Sequence, residues 1–371
     1  MEHINELYIA GYRGIQELKL KNLSRINLLV GKNNAGKTSI LEAVELISNP
    51  GDLNQLIQTA RGRDRATLTP RRASLLDSVI WTFPMELGGL PDEQIHTDIN
   101  LKAYLNKKEV KYNLSCLDTT ELVDMFKKAD EGTETINDSE SEFAVVRALD
   151  LTFDITIGGK VYKQKKTFLG SYAPFRKNPE LSLLTTKMVT PVDHRLVPVS
   201  PKALTNSIVQ GNKESLIKLL QDFDSSIEDI ELLSPDDQTA VPYFKHHTKG
   251  YLPISIYGDG IRRVLTVATA VLQAQNGVLL IDEIETAIHA KMLKKFFEWL
   301  VDSCKTFNVQ LIATTHSLEA IDGILSADKE NLSDLTVYRL EKDENNNSTS
   351  SKRFIGEDIY ELRFSMGQDV R

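Results

Sequence analysis

Hydrophobic positions near the start of the chain follow a two-residue period and then a run. Leu7 and Ile9, followed by Ile15, Leu18 and Leu20, alternate with polar neighbours, which predicts strand, turn and strand. Ile26 to Val30 is a short continuous apolar run, the pattern of a buried strand. Past Gly31 to Thr38 the period changes: Ile40, Leu41, Val44 and Ile47 recur at helical spacing, and Asn49-Pro50-Gly51 is a stop signal.

From residue 52 to 250 the character differs. Strands are predicted at 97–105, 109–117, 144–157 and 160–169, with a polar acidic stretch at 130–142 between them. Lys187 to Val199 reads as extended, broken by Pro191 and Pro198, and helical spacing returns in Leu204 to Phe223. The remainder alternates. Ile261 to Leu272 is a helical pattern, Val278 to Ile281 a buried strand, Met292 to Leu300 an amphipathic helix, and Val309 to Ala313 another buried strand. Thr336 to Leu340 and Arg353 to Ile355 are strand-like, with an Asn- and Ser-rich loop expected at Asn345 to Ser351. Strands alternating with helices imply a mostly parallel sheet with flanking helices. The expected organisation is therefore α/β: a core from residues 1–51 and 251–371, an N-terminal antiparallel β element, and a long α+β insertion over 52–250.

Composition narrows the class. With 41% hydrophobic and 26% charged residues, the chain has the make-up of a globular protein that folds without staples. Cys116 and Cys304 are far apart and form no C-x-x-C spacing, so neither a zinc site nor a disulfide framework is expected. The first residues lack a basic start followed by an apolar run, and no window reaches 18 apolar residues; a cytoplasmic protein with no membrane span is expected. A net charge of -8 argues against attraction of the whole surface to nucleic acid. A local patch remains: Arg61, Arg63, Arg65, Arg71 and Arg72 fall within twelve residues, either a grip on a phosphate backbone or a solvated loop.

Candidate chemistry lies in three segments. Gly31-Lys32-Asn33-Asn34-Ala35-Gly36-Lys37-Thr38 fits G-x-x-x-x-G-K-S/T between a predicted strand and a predicted helix. In that setting backbone amides cradle phosphates, Lys37 brings charge to the β- and γ-phosphates, and the Thr38 hydroxyl is a Mg²⁺ ligand; Ser39 follows in the first turn. Asp282 and Glu283 end a buried strand, where two adjacent carboxylates are costly without a cation. Asp282 suits Mg²⁺ held through water and Glu283 the activation of the attacking water. His316, in Thr314-Thr315-His316-Ser317, ends the next strand and suits a polarising or γ-phosphate-sensing role.

These residues resemble the ABC ATPase family, in the branch that includes RecF, SMC and the OLD-type ATPases. The resemblance implies ATP and Mg²⁺ as ligands and a P-loop NTPase fold of ABC ATPase type. It implies that Arg13, in Tyr12-Arg13-Gly14, lies near the nucleotide, that Glu285 to His289 form the D-loop, and that His316 is the switch histidine. Residues 255–265, SIYGDGIRRVL, resemble the signature segment that completes the site of the opposite subunit; they depart from LSGGQ, with Ser255 standing for the serine and Gly258 and Gly260 supplying amides. A glutamine of the Q-loop is also implied, with Gln55 and Gln58 both available. A homodimer enclosing two ATP molecules follows, acting as a switch in DNA-linked processes or antiphage defence with a separate nuclease or toxin as effector. The alternatives are the nucleotide-binding subunit of a transporter and an ATP-regulated nuclease. A GTPase is disfavoured, since no N-K-x-D segment follows a strand.

Overall fold

The structure is a computed structural model that describes residues 3–63, 74–84, 96–105, 107–124, 143–170, 181–196, 199, 201–234, 240–343 and 348–371. Strands β1 (Ile4–Tyr12) and β2 (Ile15–Lys21) form a hairpin in which Leu7 faces Leu20 and Ile9 faces Leu18, so the alternating apolar residues share one buried face. The chain then enters β3 (Ile26–Gly31), buried throughout, and α1 (Lys37–Ser48). Helix α2 (Leu53–Arg61) starts at Asp52, whose carboxylate accepts from the Asn54 and Gln55 amides, and α3 (Leu75–Ile80) follows.

Strands β4 (His96–Leu105), β5 (Lys108–Asp124), β6 (Phe143–Ile157) and β7 (Lys160–Phe168) pair antiparallel in succession. Because β4 also pairs with β1, all six join in one sheet of order β2-β1-β4-β5-β6-β7. The strands read as part of an insertion therefore continue the N-terminal hairpin instead of forming a body of their own. The free edge of β1 accounts for this, since a strand edge is a template for pairing. The predicted acidic stretch at 130–142 lies outside the described residues.

The next part holds β8 (Thr186–Val189), α4 (Asp193–Leu196), α5 (Pro201–Val209) and α6 (Lys213–Phe223). Two expectations change here. The extended reading of 187–199 stops at Val189, after which a turn carrying Pro191 leads into α4, and the single helical pattern of 204–223 is two helices parted at Gln210 to Asn212. Strands β9 (Ile227–Leu233), β10 (Val241–His246) and β11 (Gly250–Pro253) make a small antiparallel sheet ahead of α7 (Asp259–Gln273). The remaining elements are β12 (Val278–Ile281), α8 (Ala290–Thr306), β13 (Gln310–Thr314), α9 (Leu318–Ala327), β14 (Leu335–Asp343), β15 (Ser348–Ile355) and α10 (Gly356–Tyr360). Residues 348–351, expected in a loop, pair with β14, because the tract is polar on an edge strand where polarity is tolerated.

The central sheet has the order β15-β14-β3-β13-β12-β8 and is parallel except for β15. Its inner strands β3, β12 and β13 are buried on both faces, and each face serves a different core. Leu29, Val278, Leu280 and Ile312 pack with α1 and the antiparallel sheet; Leu28, Val30, Leu279, Ile281, Leu311 and Ala313 pack with α7, α8 and α9. Each such leucine, isoleucine or valine, fully buried, stabilises the fold by about 1.5–3 kcal/mol. The sheet therefore fixes the ends of β3, β12 and β13 side by side, and open α/β sheets bind ligands outside those carboxyl ends.

Candidate functional site

The turn from β3 into α1 depends on two glycines. Gly31 has φ 137°, and a Cβ there would lie 2.4 Å from the Leu340 carbonyl oxygen; Gly36 has φ 86° and starts α1 from the left-handed region. Asn34, at φ 64°, adds a third positive angle to the loop, and alternation of this kind turns successive amides towards one point. Asn33 and Asn34 are exposed on the loop, Ala35 is buried beneath it, and Ser39 is buried in the first turn of α1.

Lys37 curls over this turn. Its Nζ donates to the carbonyls of Gly31 at 2.8 Å and Lys32 at 2.9 Å. Burial holds its ammonium below the usual lysine range, opposed by the charges of Asp282, Glu283 and Glu285. The late acidic pair is thus electrically coupled to the early lysine. Direct contacts join the two segments: Thr38 Oγ1 donates to Asp282 Oδ2 at 3.0 Å, and Thr314 Oγ1 donates to Asp282 Oδ1 at 2.6 Å. Thr314 Oγ1 also accepts from the Glu283 amide at 2.8 Å, so one hydroxyl at the end of β13 orders both carboxylate residues. Glu283 sits at φ 48° and its Oε2 accepts from Thr286 Oγ1 at 3.1 Å. For a side chain without the freedom of glycine, that conformation stores strain of the kind found at functional sites.

These groups surround a cavity of 290 Å³ lined by Asn33, Asn34, Gly36, Lys37, Thr38, Ser39, Arg63, Asp282, Glu283, Thr314 and His316. Of the predicted phosphate-loop residues, Gly31 takes part through its carbonyl and Ala35 only as support. The arrangement offers amides, the cations of Lys37 and Arg63, an oxygen pair for a hard metal and an exposed carboxylate, which is what binding and hydrolysing a triphosphate needs.

Arg13 is placed otherwise than expected. Its Nε lies 2.7 Å from Glu42 Oε2 and its Nη2 donates to the Thr59 carbonyl, and it does not line the cavity, being linked to it through Glu42 and the Arg63 that shares that carboxylate. Tyr12, fully buried, has its hydroxyl on the same carboxylate, and burial raises its pKa. The arginine that lines the cavity is Arg63. It forms a fork on Glu42, with Nε to Oε1 and Nη2 to Oε2 both at 2.9 Å, and Nη2 also donates to Ser39 Oγ at 2.9 Å. One member of the predicted basic run is therefore committed to the site, while Arg65, Arg71 and Arg72 lie outside the described residues. Gln55 and Gln58 both border a neighbouring cavity of 410 Å³ that also touches Thr38, Asp282 and the Thr190 to Asp193 turn.

Ser255, Gly258 and Gly260 do not line the phosphate cavity of their own chain. Ser255 and Gly258 are exposed, and Gly258 caps the start of α7. The same helix carries Arg263, 0% exposed, whose guanidinium donates to the backbone carbonyls of Thr190, Asp282 and Glu283. Burial pushes its pKa down to about 10 against the opposing pull of Asp193, Asp282, Glu283 and Glu285. Arg263 falls in phase with the buried stripe Val267 and Val271, a signal visible in the sequence as a charge on an apolar helix face. Changing Arg263 to methionine keeps the length but strands those carbonyls, and a loss of roughly 2–4 kcal/mol is expected in urea unfolding. An unfolding midpoint equal to wild type would show that the arginine does not hold the turn.

Residues 134–322, just over half of the chain, match the family described as "AAA domain, putative AbiEii toxin, Type IV TA system". Residues 3–166 match the AAA ATPase domain, so the two matches take in both motif regions. The chain belongs to this family, as a RecF/SMC-like P-loop ATPase. An ATP/GTP phosphatase of Helicobacter pylori is 22% identical over 333 residues, 86% of this chain and 86% of that protein. The DNA replication and repair protein RecF of Geobacter sulfurreducens is 28% identical over 126 residues, 33% of this chain and 29% of that one. Among solved structures, an SMC head bound to the C-winged helix domain of ScpA superposes with a TM-score of 0.54 at 14% identity, covering 96% of this chain and 99% of that one. At that identity the likeness is one of fold.

In this RecF/SMC-like ATPase the loop, the acidic pair and His316 named by the sequence motifs meet at one cavity. What the motifs miss are Thr314, Arg63, Arg263 and the residues that hold His316 in place. Its amide donates to Glu285 Oε1 at 3.1 Å, and its carbonyl accepts from Arg371 Nη1 at 3.2 Å.

Proposed function

We propose that this ATPase is a nucleotide-driven switch in which two copies close head to tail on two ATP molecules and separate on hydrolysis. Lys37 and the loop amides bind the phosphates, Glu283 prepares the attacking water, and His316 senses or polarises the γ-phosphate. Arg63 adds charge beside Ser39. Thr38 and Asp282 fit a magnesium ion: both offer oxygen, and their contact leaves room for only a few protein ligands, which suits an ion that keeps water and phosphate oxygens. When bound, that ion neutralises phosphate charge and orients the triphosphate.

The observation that carries the dimer is the position of α7. Its start at Gly258 is exposed and does not line its own cavity, yet its Arg263 grips the carbonyls of Asp282 and Glu283. A nucleotide held by a second copy at Gly258 would thus pull on the backbone that carries the acidic pair. Such a contact is isologous and closes on itself. Light scattering with ATP and Mg²⁺ tests it on the Glu283→Gln protein, which should accumulate at twice the monomer mass; adding Gly258→Glu should leave it monomeric. A monomer at all ATP concentrations for Glu283→Gln would contradict the reading. The wider role we propose is control of a separate effector in a DNA-linked process or in antiphage defence, a reading supported by the family's toxin–antitoxin description and by the RecF relative.

A further inference from the structure

The segment after α10 makes a single π-type turn, Glu361–Ser365, and the residues beyond it reach the core at Val370 and the His316 carbonyl at Arg371. Turns of that kind are rare and concentrate at functional sites. Two anchors hold it. Arg363 forms a fork on Asp322 of α9, with Nε to Oδ1 and Nη2 to Oδ2 both at 2.7 Å, while its Nη1 donates to the Gln368 carbonyl at 2.6 Å. Val370 is 4% exposed and packs into the core beneath the central sheet.

These anchors bring Arg371 to the peptide of His316, and α9 starts just after that histidine with Ser317 as its cap. Asp369 pre-orients the guanidinium, with Nε to Oδ1 at 3.0 Å and Nη2 to Oδ2 at 2.7 Å. The opposite side of the same residue is held by Glu285, which accepts from the His316 amide. His316 is therefore gripped at its N–H by a carboxylate and at its C=O by a guanidinium, while its side chain lines the phosphate cavity. An exposed ion pair such as Asp369 with Arg371 adds little to stability, so removing it is expected to leave the melting temperature unchanged.

We propose that residues 361–371 form a strap in which Arg371, oriented by Asp369, is a positioning residue that sets the place of His316 over the phosphate cavity. This rests on the reading of His316 as a γ-phosphate group. A carbonyl freed from its donor lets the loop between β13 and α9 relax, and a shift of about 1 Å at a reacting group can cost on the order of 100-fold. Arg371 acts through the backbone and not on the phosphate, so a smaller loss, about ten-fold, is expected.

The test compares wild type, Arg371→Ala, Asp369→Asn, His316→Ala and the double variant Arg371→Ala with His316→Ala. Expected for Arg371→Ala are a kcat about ten-fold lower, an ATP dissociation constant within about two-fold of wild type, and an unchanged melting temperature. Asp369→Asn should fall between it and wild type. Adding Arg371→Ala to His316→Ala should cost nothing more, since two residues acting as one unit are not additive. In ¹³C-histidine NMR, the signal missing from His316→Ala identifies His316, and that signal should shift or broaden in Arg371→Ala without nucleotide. An unmoved His316 signal, or losses that multiply in the double variant, overturns the strap. Normal turnover by His316→Ala would instead remove the role given to the histidine, and the NMR signal alone would then decide whether the strap holds its peptide.

Discussion

Lys37→Ala is expected to lower ATP affinity by roughly 100-fold, the scale of losing charge-assisted bonds to two phosphates. Lys37 is buried over the loop and its ammonium held there by the Gly31 and Lys32 carbonyls, so its place is set before any ligand arrives. Its charge is the one the loop itself brings to the cavity floor, and Asp282, Glu283 and Glu285 give the site a negative field that repels a triphosphate once the lysine is gone. The loop amides survive the change, because Gly31 and Gly36 keep their positive φ angles, and weak residual binding should persist. Titration with a fluorescent ATP analogue in the presence of Mg²⁺ measures this. Affinity within a few-fold of wild type would mean that the phosphates lie elsewhere.

Glu283→Gln separates binding from chemistry. Glutamine keeps the shape, and its side-chain oxygen can still accept from Thr286, so the strained φ of 48° is retained. The substitution removes a negative charge beside Asp282, which leaves ATP binding equal or slightly tighter. What it removes is the ability to take a proton from water, a contribution typically worth about 10²–10⁴-fold in rate. The expected variant holds ATP and turns it over at least about 100-fold more slowly.

Much of this site could be read from the sequence because its decisive pieces are contiguous. Gly31 to Thr38 is one run between a buried strand and a helix, and Asp282 with Glu283 ends another buried strand, so local pattern alone places each piece. Their meeting follows from the parallel sheet, in which β13 lies between β3 and β12. The contacts that refine the site are long-range and lack local signatures. Arg63 was legible as one charge among several, and only its fork on Glu42 and its bond to Ser39 distinguish it from its neighbours. Arg13 has the motif's position, and the packing of α1 and α2 beside it gives it Glu42 of the first and the Thr59 carbonyl of the second. Arg371 meets His316 across 55 positions, and no periodicity reports such a pair. The fold shows the same division: individual strands from β4 to β7 were predicted, whereas their union with β1 depends on which edge was free. The helices α5 and α6 merged in the sequence because Gln210 to Asn212 interrupts a shared apolar spacing only briefly.

All of this rests on ATP being bound by the early loop and cleaved at the late carboxylate. Equilibrium ATP binding and phosphate release, measured side by side on wild type and Glu283→Gln with Mg²⁺, test that most directly. The expected result is equal or tighter binding by the variant with phosphate release reduced at least about 100-fold. Phosphate release by the variant at the wild-type rate would contradict it.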